Sequence, residues 1–220
     1  MTILEQSWQF FVKGGIMMIP LAIASVWALA IILERLVHLR RSKIILPEIQ
    51  HAVESLKEES DIPMAISICK RHSGPFANLI RLTLEQRHLP KEDLKEVTEE
   101  EGRQEIHALE SGLSALETIA GVAPLLGLLG TVIGMIKVFN VISKVGVGQA
   151  SALSVGISEA LITTVFGLSI GITALIFYNY FMHKAEDLVL EIEHTTGDLV
   201  RKVALIEGKG GLVAGQQEES

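Results

Sequence analysis

The chain has 220 residues, of which 49% are hydrophobic and 20% are charged, and its formal net charge is -7. Its mean hydropathy is +0.40, and three apolar runs of about 18 residues or more indicate an integral membrane protein. The acidic balance offers no basic surface for nucleic acid, and the sequence shows neither a phosphate-binding glycine loop nor a metal-ligand cluster. The single cysteine, Cys69, excludes an internal disulfide and is better interpreted as a small buried side chain than as a catalytic thiol.

The first apolar run, residues 16–39, predicts transmembrane helix 1. A cleaved signal peptide is not favoured, because Glu5 stands where a basic segment would precede the run and no small-x-small cleavage site follows it. Basic residues crowd the end of the run, whereas Lys13 stands alone before it. Those basic residues are Arg35, Arg40, Arg41 and Lys43. The positive-inside rule therefore places residues 1–15 outside the cytoplasm and the segment after the run inside it.

Residues 40–115 predict a cytoplasmic helical region. Amphipathic helices punctuated by prolines are expected at residues 47–59, 61–72 and 74–88. A longer polar helix begins near Pro90, and its narrow apolar stripe predicts an unbroken helix through Leu109 and Leu113 into the second span. The acidic run of residues 99–101 is interpreted as a solvated face rather than a docking site. Because the sequence lacks the alternation of strands, the predicted fold class is all-α.

The second half of the chain predicts a helical hairpin with a long extension. Its parts are transmembrane helix 2 at residues 116–142, an outer connection at 143–151, transmembrane helix 3 at 152–182, a cytoplasmic helix at 183–207 and a flexible tail at 208–220. At helical rise the third span would be about 46 Å long, which exceeds the roughly 30 Å hydrocarbon core. We therefore expect three transmembrane helices, of which the second and third extend into the cytoplasm.

Small residues recur at helical spacing along both arms of this hairpin. They are Gly127, Gly130 and Gly134 on the second span, and Gly167 and Gly171 on the third. In lipid, such stripes let two backbones approach closely, so we interpret these glycines as helix-packing residues. They indicate a bundle or an oligomer before they indicate a channel.

One acid, Glu159, lies within the third span. An ionisable residue there costs roughly 2.5 to 3.5 kcal/mol on insertion scales, so it is expected to face a bundle interior or an ion path. Thr131 on one arm lies at a similar depth to Thr163 and Thr164 on the other, which predicts a threonine layer near the acid. Thr163 shares a helix face with Glu159, although each of these hydroxyls could simply bond its own backbone. Because desolvation penalises a charged carboxylate, the arrangement predicts a site that takes up and releases protons.

Two runs in the hairpin carry a more specific signal. They are Ala-Pro-Leu-Leu-Gly-Leu-Leu-Gly-Thr-Val-Ile-Gly-Met at residues 123–135 and Ile-Ser-Glu-Ala-Leu-Ile-Thr-Thr at residues 157–164. With the pairs Gly167-Leu168 and Tyr178-Asn179, they closely resemble the MotA/TolQ/ExbB proton channel family, the ExbB/TolQ branch in particular. The resemblance covers the whole hairpin and weakens across residues 1–110.

The resemblance implies a multi-pass protein of the bacterial inner membrane with a periplasmic N-terminus and a cytoplasmic C-terminus. A pentamer of the chain would surround a dimer of an ExbD- or TolR-like single-span partner, and a TonB- or TolA-like protein would receive the work. Protons are the implied coupling ion, with no other cofactor and no metal. Glu159, Thr131 and Thr164 match the pore-lining acid and threonines of the family. Helix geometry alone favours Thr163 beside the acid, so both neighbouring threonines remain candidates.

The predicted function is a proton-channel subunit that converts proton-motive force into mechanical work on periplasmic or outer-membrane components, as in TonB-dependent transport. A motor for Tol-Pal envelope maintenance is the alternative within the same class. A secondary transporter is less favoured because the sequence shows no inverted repeat, and a passive membrane scaffold would tolerate Glu159→Gln. An enzyme is not expected, because no specific pair of nucleophile and base can be assembled outside the spans.

Overall fold

The computed structural model describes residues 14–146 and 150–217, and the regular elements in these ranges are all helices. In chain order they are α1 Met18–His38, α2 Arg41–Ile44, α3 Pro47–Ser55, a 3-10 turn at Glu59–Asp61, α4 Ile62–Lys70, α5 Pro75–Glu85, α6 Lys91–Glu110, α7 Leu113–Val145 and α8 Ala150–Gln217. Three of these helices, α1, α7 and α8, are long and apolar enough to cross a membrane. The predicted all-α membrane fold with three spans is confirmed.

The chain divides into two compact units, each assembled from two stretches of sequence. The transmembrane unit comprises the described parts of residues 1–34 and 112–180, and the polar unit those of residues 35–111 and 181–220. α8 contributes to both units, because it is one continuous helix of 68 residues. The extension expected beyond the third span is therefore helical.

In the transmembrane unit, α7 and α8 pack through their glycines. A methyl group added to Gly167 would lie 2.6 Å from the carbonyl oxygen of Ala123, and one added to Gly127 would lie 2.9 Å from that of Thr163. The remaining glycines of the two stripes, Gly130, Gly134 and Gly171, face the opposite helix in the same way. Contacts this short leave no room for a side chain, so the glycines bring the two backbones together as small residues do in membrane bundles.

The predicted unbroken helix from Pro90 into the second span is wrong. α6 and α7 are separate helices, and Gly112 between them adopts a left-handed conformation at φ 79°. A left-handed residue ends a helix, and glycine adopts that conformation without the steric penalty of a Cβ atom. The amide of Ser111 closes α6 by donating to the carbonyl oxygen of His107 at 3.0 Å.

A buried arginine, Arg35, caps the C-terminal end of α6. Its guanidinium donates to the carbonyl oxygen of Leu109 at 3.2 Å and to that of Ser111. The last carbonyls of a helix lack partners within the helix, so a cation that bonds them satisfies buried acceptors and complements the helix dipole. Arg35 therefore has a structural task as well as its place among the basic residues that flank the first span.

The short helices of the polar unit start at prolines, as their sequence predicts. Proline occupies one of the first two positions of α3, α4 and α5. The first of them ends at Ser55 and not near residue 59, because the carboxylate of Asp61 accepts hydrogen bonds from the amides of Lys57 and Glu58, both at 3.1 Å. These two donors stabilise the carboxylate and lower the pKa of Asp61. The chain therefore turns before the 3-10 segment.

The polar unit has an apolar core of its own. Side chains that are 1% exposed or less come from five of its helices and include Ile49, Ile62, Phe76, Ile80, Leu84, Leu94, Leu199 and Val203. Leu199 and Val203 belong to α8, so the predicted cytoplasmic helix at residues 183–207 contributes to this core. Burial of such side chains is the main stabilising contribution in a helical unit of this kind.

Helices occupy more of the chain than predicted at two places. α7 and α8 both extend into the predicted connection, residues 143–151, and α8 continues through residues 208–217 of the predicted flexible tail. The tail prediction is thus corrected as far as Gln217, because each residue added to an existing helix gains a backbone hydrogen bond that offsets the cost of its glycines. Other parts of the predicted outer segment, connection and tail lie outside the described residues, at 1–13, 147–149 and 218–220.

Candidate functional site

Glu159 lies near the start of α8, in the transmembrane unit, and is paired with a lysine from α7. Its side chain is 12% exposed, and Lys137 Nζ donates a hydrogen bond to its Oε1 atom at 2.5 Å. Lys137 itself is half-exposed. The acid predicted to face a bundle interior therefore lies in an ion pair that joins the two arms of the hairpin.

Lys137 is a site residue that the sequence analysis missed. The signal was available, because Lys137 is a charged residue inside the predicted second span, residues 116–142, where an ammonium costs about as much as a carboxylate. The pairing was not visible, since 22 positions separate the two residues. A buried charge with a partner is far less unfavourable than one without, which explains how the hairpin accommodates both groups.

The same carboxylate oxygen also lies against the turn that precedes α1. Gly15 adopts a left-handed conformation at φ 68°, and a methyl group added there would collide with Oε1 of Glu159. The carbonyl oxygen of Gly15 accepts the amide of Met18 at 3.1 Å, which ties the turn to the first helix. Three segments therefore meet at one carboxylate: the turn before α1, the middle of α7 and the start of α8.

The predicted threonine layer is present about one and a half turns further along the hairpin. Thr131 on α7 and Thr164 on α8 share a hydrogen bond between their hydroxyl oxygens. Each hydroxyl also lies within hydrogen-bond distance of a carbonyl on the other helix, Thr131 of Ala160 at 3.2 Å and Thr164 of Gly127 at 3.2 Å. A hydroxyl has one proton, so these contacts form a network in which donors can exchange between acceptors.

The two neighbouring threonines of α8 differ in what they contact. Thr163 is fully buried and donates to the carbonyl oxygen of Ala160 on its own helix at 2.9 Å. Its contact with Glu159, at 3.2 Å, is to the backbone carbonyl and not to the carboxylate. Thr163 therefore donates to its own backbone, as membrane threonines often do, while its side chain packs against Gly130 of α7. The hydroxyl of Thr164, in contrast, hydrogen-bonds to the opposite arm.

Other reactive groups fit a structural role better than a chemical one. Cys69 is buried in the polar unit, and desolvation raises the pKa of its thiol to about 11. A thiol of this kind is protonated at neutral pH and is a poor nucleophile. Among the residues that the structure describes, no cluster of three or more histidine, cysteine or acidic side chains could hold a metal ion.

The hairpin that carries this site falls in a region shared with a known protein family. A family model described as the MotA/TolQ/ExbB proton channel family matches residues 71–194. The chain belongs to this family. The match contains all of α7 and the part of α8 that carries Glu159, Thr163 and Thr164, so the site described above lies within the region that defines membership of the MotA/TolQ/ExbB family.

Individual relatives carry names from the ExbB/TolQ branch of this family. An ExbB-like protein of Synechocystis is 34% identical, over 76% of this chain and 67% of its own length. An ExbB homolog of Methanothermobacter thermautotrophicus is 30% identical, over 84% of this chain and 66% of its own length. The Tol-Pal system protein TolQ of Pseudomonas aeruginosa is 38% identical over 37% of this chain and 35% of its own. The chain thus spans about two thirds of the first two relatives and is a member of the ExbB/TolQ branch.

Proposed function

We propose that the chain is the proton-conducting membrane subunit of an ExbB/TolQ-type motor. It converts proton-motive force into mechanical work on periplasmic or outer-membrane components, as in TonB-dependent transport. The observation that carries the proposal is the Glu159–Lys137 pair inside the apolar hairpin, about one and a half turns from the Thr131–Thr164 network. In a member of a family described as proton channels, a largely buried carboxylate in the same hairpin as exchangeable hydroxyls is the group best suited to accept a proton.

Proton uptake at Glu159 would change the charge balance of the site. A proton on the carboxylate removes its negative charge and weakens the hold on Lys137, so binding and release can be coupled to a change in side-chain contacts. The energy available is sufficient for mechanical work, because one charge that crosses about 100 mV is worth roughly 2.3 kcal/mol. Several protons per cycle would then drive one step.

The proposal includes an oligomer and a single-span partner. Apolar side chains on the outer surfaces of α7 and α8 are exposed in the single chain, among them Leu128, Val132, Phe139, Leu161, Val165 and Ile172. Lipid and neighbouring helices are the surroundings that cover such side chains in a membrane. We assign them to the bilayer and to contacts in a pentamer around a dimer of an ExbD- or TolR-like protein, whose motion is passed to a TonB- or TolA-like protein.

The proposed setting is the inner membrane, with the N-terminus in the periplasm and the C-terminus in the cytoplasm. The excess of basic residues after α1 supports this orientation through the positive-inside rule. In this orientation the polar unit lies in the cytoplasm and Glu159 lies in the periplasmic half of the hairpin. The subunit acts without enzymatic chemistry, and protons are its coupling ion.

A Tol-Pal motor is the second candidate, because the Tol-Pal system protein TolQ of Pseudomonas aeruginosa is 38% identical over 37% of this chain. Purification of the native complex separates the two candidates by the single-span protein that accompanies the chain. A TonB-linked partner supports biopolymer transport, whereas a TolA-linked partner supports envelope maintenance.

The experiment that tests the proposal replaces Glu159 by glutamine in the native complex. Glutamine preserves the size of the side chain but cannot carry a proton, so we expect proton-driven work to be lost while the complex still assembles. Glu117→Gln is the matched control, because Glu117 is an exposed acid near the start of α7. Full retention of work by Glu159→Gln would overturn the proposal.

A further inference from the structure

The turn before α1, at residues 14–17, packs against α8 at the level of Glu159. Glu159 lies nine residues after the first residue of α8, about 14 Å along that helix. A methyl group added to Gly15 would collide with Oε1 of Glu159 and would lie 3.2 Å from its Cγ atom. A methyl group added to Gly14, which is buried, would lie 3.3 Å from Cγ2 of Ile162, one turn further along α8. The first span therefore begins beside the acid and not at the end of the hairpin.

The turn is fixed to the first residues of α1. The amide of Met18 donates to the carbonyl oxygen of Gly15 at 3.1 Å, and that of Ile19 donates to the carbonyl oxygen of Ile16 at 3.3 Å. The side chains of Met18 and Leu21 are 3% and 1% exposed, so they anchor the start of the helix by apolar burial. The turn thus has a defined position over the carboxylate.

Gly15 meets two separate requirements of this turn. Its backbone is left-handed, at φ 68°, a conformation in which residues with a Cβ atom are disfavoured. It also leaves free the space that a Cβ atom would take from the carboxylate of Glu159. Gly146, at the end of α7, meets only the first requirement, because its φ is 73° but a Cβ atom there would have no neighbour within 4 Å. The two glycines therefore separate backbone strain from contact with the acid.

From this geometry we infer that Gly15 is a positioning residue of the proton site, which lets the turn at residues 14–17 close over Glu159. The inference rests on the proposed function, because it concerns the access of water to the acid. In the proposed orientation the turn lies on the periplasmic side of α1. The turn and Lys137 contact the same carboxylate oxygen, and the Glu159 side chain is 12% exposed with both in place. Exclusion of water from such a site prevents the leakage of protons, so protons enter when the turn opens.

Two carbodiimides of different solubility test this closure on the full complex in lipid nanodiscs. Ethyl-dimethylaminopropyl carbodiimide is cationic and approaches from water, whereas dicyclohexylcarbodiimide approaches from lipid. Both reagents react with protonated carboxyl groups, so the ratio of their rates at Glu159 measures access from water and does not depend on the protonated fraction. Mass spectrometry gives both rates, as the loss of the unmodified peptide that contains Glu159.

The main comparison is between two substitutions by alanine. Gly15→Ala places a methyl group against Oε1 of Glu159, and we expect it to raise the ratio of rates about tenfold, because overpacking favours the open turn. Gly146→Ala is the matched control, since it places alanine at a similar φ in open space. It should keep the wild-type ratio. The complexes are compared at equal assembly by size-exclusion chromatography.

A shorter acid distinguishes a direct contact from a general defect of the turn. Glu159→Asp removes one methylene group and withdraws the carboxylate from the turn, which makes room for the methyl group of Gly15→Ala. The effect of Gly15→Ala on the ratio should therefore be much smaller in the Glu159→Asp complex. An effect that depends only on backbone strain would keep its size there.

Ile162→Ala replaces Gly15→Ala if the latter fails to assemble. It removes most of the side chain beside Gly14 and leaves the backbone of the turn unchanged, so we expect a smaller rise in the ratio.

The results divide into two groups. A raised ratio in Gly15→Ala, with the wild-type ratio in Gly146→Ala, would support the inference. A wild-type ratio in Gly15→Ala, or in Ile162→Ala where that variant is used, would overturn it, and so would an equal rise in Gly146→Ala. Failure of the proposed function appears separately, as proton-driven work that persists in Glu159→Gln, because labelling measures access and requires no work output.

Discussion

The two units contain ion pairs of the same chemistry in opposite surroundings. In the transmembrane unit, Glu159 is 12% exposed and pairs with Lys137, whereas in the polar unit Glu191 and Arg41 pair with side chains that are 32% and 61% exposed. Water screens the Arg41–Glu191 pair, so loss of this pair changes the free energy of unfolding little. The first lies among apolar side chains, where an unpaired charge costs several kcal/mol. Surroundings, and not the pair itself, decide which acid can serve as a proton site.

The largest effect of a substitution is expected where the two helices of the hairpin pack most closely. We predict that Gly167→Leu prevents assembly, because its side chain would overlap the backbone of α7, where even a methyl group lies 2.6 Å from Ala123 O. Overpacking of this kind costs about 1 to 3 kcal/mol or more. Gly121→Leu is the control, since a Cβ atom at Gly121 has no neighbour within 4 Å. Size-exclusion chromatography of the detergent-purified complex measures the difference. Equal assembly of the two variants would contradict the described packing.

A smaller effect is expected at the buried cation of the polar unit. Arg35→Met would leave the carbonyl oxygens of Leu109 and Ser111 without their donor, and a hydrogen bond to a charged group contributes about 1.5 to 3 kcal/mol. The thermal unfolding midpoint should fall. Arg40→Met serves as control, because Arg40 is exposed and its guanidinium donates to the carbonyl oxygen of Leu36, four residues earlier in the chain. A midpoint for Arg35→Met that equals that of the control would show that burial does not distinguish these two arginines.

In the threonine layer, substitution of Thr164 should reduce proton flux more than substitution of Thr163. Thr164→Val removes a hydroxyl that contacts the opposite arm, and we expect proton flux through the reconstituted complex to fall about tenfold, the equivalent of one hydrogen bond in a rate. Thr163→Val removes a hydroxyl that bonds its own helix and should have the smaller effect. The reverse order, with Thr163→Val the more damaging, would show that the hydroxyl of Thr163, and not that of Thr164, lies on the proton path.

The smallest effect is expected at the exposed pair. Arg41 holds the pKa of Glu191 below its ordinary value of 4.5, so the pair stabilises the fold above that value and the contribution is lost as the pH falls through the lowered pKa. Glu191→Gln should lower the unfolding midpoint slightly at neutral pH, and the difference from wild type should vanish in acid. A difference that grows with acidity would have the wrong sign for this pair.

The sequence predicted those features of the site that depend on periodicity within one helix. Glu159, Thr131 and the neighbouring pair Thr163 and Thr164 follow from their depth in apolar segments, and the glycine stripes follow from their spacing. Helix geometry alone favoured Thr163, and only the family resemblance favoured Thr164. The partner of the acid could not be derived in the same way, because the Lys137 contact joins two helices and the Gly15 contact joins a third segment. Pairings of this kind depend on the rotation of each helix about its axis, which periodicity leaves open within one turn.

In the fold, too, features within one helix were predicted, whereas a feature that depends on a distant contact was not. Three spans and an all-helical polar unit follow from hydropathy and prolines. The break at Gly112 was hidden, because the apolar stripe through Leu109 and Leu113 keeps its spacing across the turn. A single glycine is compatible with a helix interior as well as with a left-handed cap, and the capping Arg35 that favours the second lies far away in the sequence.

Proton flux into liposomes that contain the purified complex tests most directly whether Glu159 carries the proton. A potassium gradient with valinomycin sets the membrane potential, and a trapped dye reports the internal pH. Flux should be lost in Glu159→Gln and kept in Glu117→Gln, with equal amounts of assembled complex in both preparations. Wild-type flux through Glu159→Gln would contradict the assignment.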